Sequence, residues 1–301
     1  MSIFCIGELL IDFLPKNINN EEYLLKKAGG APANVCATIS KLGTNSFFCG
    51  KIGSDPFGNF LESELNKFNV NTYFLKRDPS INTTLAFVTL DNNGEREFSF
   101  IRGADKNLHV SEIELDKINS SILHFGSATG FLEGDLKDTY YRLFNYAKEK
   151  ELFISFDPNY RQAFWGDNKI EFIEHSHYFI KNSDFVKLSD EELEIITGEK
   201  DLNKGSSILH KLGAKIIAIT LGKDGTYISL NGENSIIPSI KIQAIDTTGA
   251  GDAFVGAFLH FLHNNIKSYD FSDIKIIVEK ANKIAAKVCT ELGALEAIEK
   301  L

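Results

Sequence analysis

Short, almost unbroken apolar runs that alternate with helical periodicity constrain this chain more than any other feature of its sequence. The runs are Ile3–Ile6, Ser46–Ile52, Ile122–Phe125, Leu152–Phe156, Phe185–Leu188 and Ile216–Thr220. A strand apolar at consecutive positions has to be covered on both faces, which is the situation inside a parallel sheet. Between the runs, Pro32–Leu42 sets Val35, Ile39 and Leu42 on one helical face and stops at Gly43, a residue suited to closing a helix C-terminus. Phe57, Leu61, Leu65 and Phe68 stripe a second helix; Asp135–Lys150, Lys169–Ile180, Leu202–Leu212, Ala250–His263 and Ser272–Thr290 continue the series. The alternation predicts an α/β chain with a doubly wound, mostly parallel sheet flanked by helices.

One segment departs from this order. Thr84–Leu90, the turn Asp91-Asn92-Asn93-Gly94 and Arg96–Arg102 read as an antiparallel hairpin with no helix between its strands. Phe98, Phe100 and Arg102 fall on one face of it. Pattern alone favours an edge hairpin whose phenylalanines pack on the core; the same face would also suit a lid over a ligand. The expectation is one main domain over residues 1–301 carrying a small β lid.

The charge balance narrows the partners. With a net charge of −9 the chain lacks the cationic surface that nucleic acid binding requires. Anionic ligands must then be held by local donors. Cys5, Cys36, Cys49 and Cys289 are scattered without a Cys-x-x-Cys pair, which argues against a disulfide framework or a zinc knuckle. The opening residues form an apolar strand without a basic flank, and no apolar run approaches the roughly 20 residues of a membrane span. A cytoplasmic protein without a membrane partner is expected.

The densest chemistry lies in Asp246-Thr247-Thr248-Gly249-Ala250-Gly251-Asp252-Ala253-Phe254, which runs into the apolar helix from Val255. A Gly-x-Gly loop opening a helix presents backbone N–H groups at the positive end of the helix dipole, an anion hole fit for phosphate. A carboxylate beside such a hole repels the anion unless it handles a proton. Asp252 therefore reads as a base that accepts a hydroxyl proton as the oxygen attacks a phosphoryl group. An isolated Asp there would read as a helix N-cap; the glycines and threonines beside it favour the base. The dinucleotide fingerprint fails at Phe254, where it needs glycine, and a Gly-Lys-Ser/Thr P-loop is absent. A second cluster, Ala28-Gly29-Gly30-Ala31-Pro32-Ala33-Asn34, lets a ligand lie against backbone, with Asn34 able to donate to and accept from a hydroxyl. Read alone, it is equally an ordinary Gly-Pro helix start.

Together the two clusters resemble the two signatures of the PfkB, or ribokinase-like, carbohydrate kinase family. The first continues through Leu42-Gly43 and Gly50-Lys51-Ile52-Gly53-Ser54-Asp55-Pro56-Phe57-Gly58, and the likeness runs from Gly7 to Ala294. The resemblance implies a ribokinase-like fold, a lid built from roughly residues 12–28 and 72–103, and ATP with Mg²⁺ as cofactors. It gives Asp252 the part of catalytic base and Gly249, Ala250 and Gly251 that of the anion hole. It implies sugar contacts from Asp12, Gly29, Gly30, Asn34, Phe100, Arg102, Asn159 and Arg161. Nucleotide contacts fall on Lys187, Ser189, Thr220, Gly222, Gly225 and Asn282. Glu192 takes the place of a glutamate acting on Mg²⁺ through water, in a motif where Ser189 replaces the usual Asn. Asp246 and the Thr248 carbonyl stand where the family often binds a monovalent cation such as K⁺, and a homodimer through the lid is the family's habit.

Within the family, Gly7-Glu8-Leu9-Leu10-Ile11-Asp12-Phe13-Leu14-Pro15 and Asp157-Pro158-Asn159-Tyr160-Arg161 resemble the fructokinase branch. The resemblance implies transfer of the γ-phosphoryl group of ATP to D-fructose, giving fructose 6-phosphate. A 2-keto-3-deoxygluconate kinase, which would share Arg161, Phe100 and Arg102, and a ribokinase are the alternatives; a silent ligand-binding regulator is the non-enzymatic one. His175-x-His177 and His260-x-x-His263 have metal-compatible spacing without a third ligand nearby, and Trp165 could line a sugar pocket or pack under a loop.

Overall fold

Two sheets organise the chain, and their order follows from the two kinds of strand in the sequence. The computed structural model describes residues 2–19, 21–90, 96–166, 168–263 and 268–301. Strands β1 (Ile3–Ile6), β4 (Ser46–Gly53), β5 (Leu75–Asp78), β8 (Ile122–Phe125), β9 (Phe153–Phe156), β10 (Phe185–Ser189), β11 (Ile216–Thr220), β12 (Thr226–Leu230) and β13 (Glu233–Ile237) form one sheet. Its order is β13-β12-β11-β10-β9-β8-β1-β4-β5. Every pairing from β11 to β5 is parallel, and β12 and β13 close one edge as an antiparallel meander.

The unbroken apolar runs are explained by cover on both sides. Ile3 and Cys5 point into one core and Phe4 and Ile6 into the other; Ile216 and Ala218 alternate in the same way with Ile217 and Ile219. The first core is closed by helices α1 (Ala31–Lys41), α2 (Pro56–Lys67), α8 (Ala250–His263), α9 (Phe271–Val288) and α10 (Ala294–Glu299), and Phe258 stacks on Phe185 at 3.9 Å. The second is closed by α3 (Asp135–Glu149), α5 (Lys169–Ile180), α6 (Asp190–Thr197) and α7 (Leu202–Leu212), around an aromatic group centred on Phe179.

The second sheet has the order β3-β2-β6-β7, from β2 (Leu10–Ile18), β3 (Glu21–Gly29), β6 (Leu85–Leu90) and β7 (Arg96–Ile101). The hairpin expected over residues 84–102 is present as β6 and β7 in antiparallel register. Its turn at Asp91–Gly94 lies outside the described residues, as does the side chain of Phe98. One boundary is corrected: Leu75–Asp78, inside the 72–103 span expected for the lid, pairs with β4 as the edge of the large sheet. The small sheet joins the rest of the chain at two points close together. Strand β2 follows β1, and β3 ends at Gly29, where α1 begins.

Candidate active site

The N-terminus of α8 is built around its glycines. Gly249 has φ +78, and a Cβ there would come to 2.5 Å from the Ala294 Cβ, so both backbone and space demand glycine. Gly251 has ordinary backbone; a Cβ there would meet only the Lys187 side chain, at 3.3 Å from Nζ. Open space thus lies beside Gly251 with an ammonium group next to it, while the Ala250 amide donates to the Thr247 carbonyl at 3.2 Å. Asp252 is the third residue of the helix, inside it and not at its cap. Its Oδ2 accepts from Asn34 Nδ2 at 2.8 Å. Burial raises the Asp252 pKa above the ordinary carboxylate value, a rise moderated by the Asn34 bond and by the charges of Arg161 and Lys187.

Lys187 stands near the C-terminal end of β10, where an amine inside an apolar run needs a buried carboxylate. Asp157, just past β9, supplies it: Nζ donates to Oδ2 at 3.0 Å and both residues are buried. Burial works against the charge on Lys187, but Asp157, Glu192 and Asp252 outweigh it and hold the ammonium above its ordinary value. Asp157 is pushed up to about 6 by burial, with Glu192 adding to the rise against the pull of Lys187. Glu192 is buried in the first turn of α6. Burial would raise it, yet the Lys187 charge and the amides of Ser189 and Tyr160 hold it below the ordinary value. Those amides donate to its two oxygens at 2.7 and 2.8 Å, and Ser189 Oγ caps the Glu192 amide in return. The acidic start of α6 is therefore both a capped helix and part of a charge cluster.

The glycine-rich start of α1 brings the other signature to the same place. Gly30 has φ +118 and sits against the Glu8 carbonyl, while a Cβ on Gly29 would run into the carboxylate of Asp12. Asn34 lies in the first turn of α1, and its Oδ1 is buried without a hydrogen-bond partner. That orphan acceptor beside a carboxylate suits a ligand hydroxyl. Arg161 is exposed; it donates to the Tyr160 carbonyl at 2.9 Å and lies in the field of Asp252 and Glu192. Asn159 is buried with φ +50, and its Nδ2 donates to the Gly126 carbonyl at 2.8 Å, so its side-chain donor serves the loop. Phe100 packs on Phe164 at 4.2 Å, tying β7 to the short helix α4 (Gln162–Trp165) after Arg161. Arg102 donates from Nε and Nη2 to Asp105 Oδ2 and from Nη1 to the Glu133 carbonyl.

On the other side of the α8 N-terminus lies a cavity of about 620 Å³, lined by Thr220, Gly222, Gly225, Phe254 and Asn282 together with Ala250 and Gly251. Asn282 helps to form its wall: its amide receives Thr226 Oγ1 at 2.7 Å and donates to the Ile237 carbonyl at 3.0 Å. Ser189 lies outside this lining, engaged in its cap. Asp246 is buried; it accepts from the Thr248 amide and hydroxyl at 2.9 and 2.7 Å and from the Gly293 amide at 3.2 Å.

Other candidates resolve into structure. His175 bonds Tyr141 and Glu171, His177 the Ile196 carbonyl and His260 Thr44, and no metal-holding cluster occurs among the described residues. Trp165 is buried against Phe172. Sequence reasoning gave no role to Asp157 and Glu8, which it quoted only within family-like stretches, and did not name Asp105; all three are buried carboxylates. Lys187 within an apolar strand was the available signal for the first, since a buried ammonium demands a counter-charge. The other two had no such cue.

A glycine-rich helix start beside an ammonium group, a buried carboxylate with a raised pKa and a cavity of about 620 Å³, at the C-terminal ends of parallel strands, are what a phosphotransferase would need. The family pattern described as pfkB family carbohydrate kinase matches residues 1–301, and the chain belongs to that family. Among curated relatives, a probable fructokinase of Arabidopsis thaliana is 33% identical over 98% of this chain and 92% of its own length. The fructose-, ADP- and calcium-bound fructokinase of Vibrio cholerae O395 superposes with a TM-score of 0.89 at 31% identity, covering 99% of this chain and 95% of that one. The ATP-bound fructokinase of Xylella fastidiosa gives a TM-score of 0.89 at 29% identity, over 98% and 94%. The enzyme is thus a sugar kinase, its relatives fructokinases.

Proposed function

We propose that the enzyme transfers the γ-phosphoryl group of ATP to the primary hydroxyl of D-fructose, giving fructose 6-phosphate by direct in-line displacement. The observation that carries this reading is the 2.8 Å hydrogen bond from Asn34 to Asp252, which joins the sugar-side signature to the phosphate-side one at a single point. Asp252 takes the hydroxyl proton. The Gly249–Gly251 amides and Lys187 stabilise the charge that develops on the transferring group. The 620 Å³ cavity receives the nucleotide. The four-stranded sheet acts as the lid of a single domain, excluding water that would hydrolyse ATP.

Mg²⁺ suits the site in one manner. Such an ion keeps most of its waters and binds chiefly through phosphates. Glu192, its oxygens each holding one amide, retains lone pairs for a water of that ion, which would neutralise phosphate charge. Asp246 and Thr248 would serve a monovalent cation beside the anion hole.

Charge balance favours the neutral ketose over 2-keto-3-deoxygluconate. Arg102 is neutralised by buried Asp105, and Arg161 faces Asp252 and Glu192. A substrate carboxylate would find no uncompensated cation among them, and Asp12 would repel it. The test is a sugar-panel kinase assay with product mapping. D-Fructose 6-phosphate as the main product is expected, and a clear preference for the sugar acid would overturn the assignment.

A further inference from the structure

Arg102 does not stand alone at the end of β7. Asp105, 1% exposed, receives Nε at 3.2 Å and Nη2 at 2.8 Å on one oxygen. Thr129 Oγ1 donates to the same oxygen at 3.1 Å, and Thr84 Oγ1 donates to the other. Thr129 also reaches Glu8 Oε2 at 3.4 Å, and Glu8 Oε1 accepts from the amide of Ala31 at 3.2 Å, beside Gly30 and Asn34. The guanidinium is thus wired through a buried polar network to the start of α1. Three of its five N–H groups are spoken for, since Nη1 donates to the Glu133 carbonyl at 3.3 Å. Two N–H groups remain for a ligand, but the positive charge is cancelled locally by a carboxylate that water does not reach.

We infer that Asp105 is a specificity-determining residue that selects uncharged sugars by neutralising Arg102, leaving it a hydrogen-bond donor to hydroxyls without the net charge that would hold a sugar carboxylate. This rests on the proposed phosphorylation of a neutral ketose. Glu8 reinforces the effect, because a second carboxylate in the network leaves no surplus of positive charge behind Arg102. A hydrogen bond to a charged group is roughly twice as strong as one between neutral groups, so releasing Arg102 changes what the pocket rewards.

The test compares kcat/KM for D-fructose and for 2-keto-3-deoxygluconate in the wild type and in Asp105→Asn. Asparagine keeps the shape and accepts from Thr84, but it returns the charge to Arg102. The acid-to-fructose ratio of kcat/KM is expected to rise about tenfold or more, through a lower KM for the acid, as one gained charge-assisted contact would give. An unchanged ratio in a folded Asp105→Asn enzyme overturns the inference while fructose phosphorylation by the wild type stands. A wild type that prefers the acid, or leaves fructose unphosphorylated, sinks the functional reading itself. Should Asp105→Asn fail to fold, Arg102→Gln combined with Asp105→Asn decides. If the pair is electrically silent toward substrate, the ratio stays within about threefold of wild type; a larger fall shows that Arg102 offers its charge, and overturns the inference.

Discussion

Asp252 carries the sharpest expectation at the scale of single residues. Asp252→Asn keeps the shape and can still accept from Asn34, so the fold should survive. As the base it would lose about 10²-fold or more in kcat, with fructose KM little changed. Turnover within a few-fold of wild type would reject it as the base. The pH profile gives an independent reading. The carboxylate must be ionised to act, and burial places its pKa above the ordinary value, so kcat/KM should fall with decreasing pH at a higher pH than for an exposed aspartate. Lys187 invites the complementary test of stability. Lys187→Met leaves Asp157 and Glu192 buried without their cation, a loss of about 3–5 kcal/mol for a broken buried pair. Asp157 is already pushed up to about 6 with the lysine present, and rises further without it. A carboxylate whose folded pKa is raised is tolerated when protonated and penalised as pH climbs through that value. Denaturant melts should therefore show the variant's deficit larger at about pH 8 than at about pH 5. A deficit independent of pH would mean that packing, not charge, is what Lys187 contributes.

At the scale of elements, the first turn of α8 separates two jobs that glycine does. Gly249 is required by its positive φ and by Ala294, whereas Gly251 has ordinary backbone and room for a methyl group apart from the flexible end of Lys187. Gly251→Ala should fold with a Tm close to wild type, yet obstruct phosphate and cut kcat/KM for ATP by about tenfold or more. Thermal melts with ATP kinetics check this, and normal kinetics would reduce the loop to a helix start. Legibility followed the same division between elements. Six of the seven parallel strands were legible because cover on both faces leaves an unbroken apolar run, and α8 because its glycines and threonines carry a chemistry-specific pattern; the edge strand β5, Leu75-Lys76-Arg77-Asp78, has no such run and was read as lid. Strand β3 was not legible by pattern: Glu21-Glu22-Tyr23-Leu24-Leu25-Lys26-Lys27 is exposed along most of its length, so no buried face imposes alternation. Its partner β2 carries Pro15 and turns outward past Asp12, and only the family resemblance drew the two into the small sheet. The side-chain partners of Arg102 and Asn159 were equally hidden, since Asp105 and the Gly126 carbonyl meet them only through the fold.

Across the whole molecule the proposed function puts the two ligands on different sides of the α8 N-terminus. The 620 Å³ cavity proposed for the nucleotide is bounded by β11, α8 and α9, while Asp12 and the Gly29–Asn34 segment, proposed for the sugar, lie where the small sheet joins α1. Each ligand should therefore stabilise the fold through its own contacts. A ligand that binds only the folded state adds about 2.7 kcal/mol at a hundredfold excess over Kd. For a chain of this size that corresponds to roughly 5 °C in Tm. Asp12→Ala removes a half-buried acceptor proposed for sugar hydroxyls without touching the cavity, and a site that loses its hydrogen-bond partner for a substrate hydroxyl loses affinity for that substrate. The Tm rise produced by D-fructose should therefore disappear in Asp12→Ala at a sugar concentration that saturates the wild type, while the rise produced by ADP persists. Loss of both shifts would show that the small sheet and the nucleotide side form one cooperative binding unit. Retention of both would remove Asp12 from the sugar site and move recognition to Asn34, whose buried Oδ1 has no hydrogen-bond partner of its own.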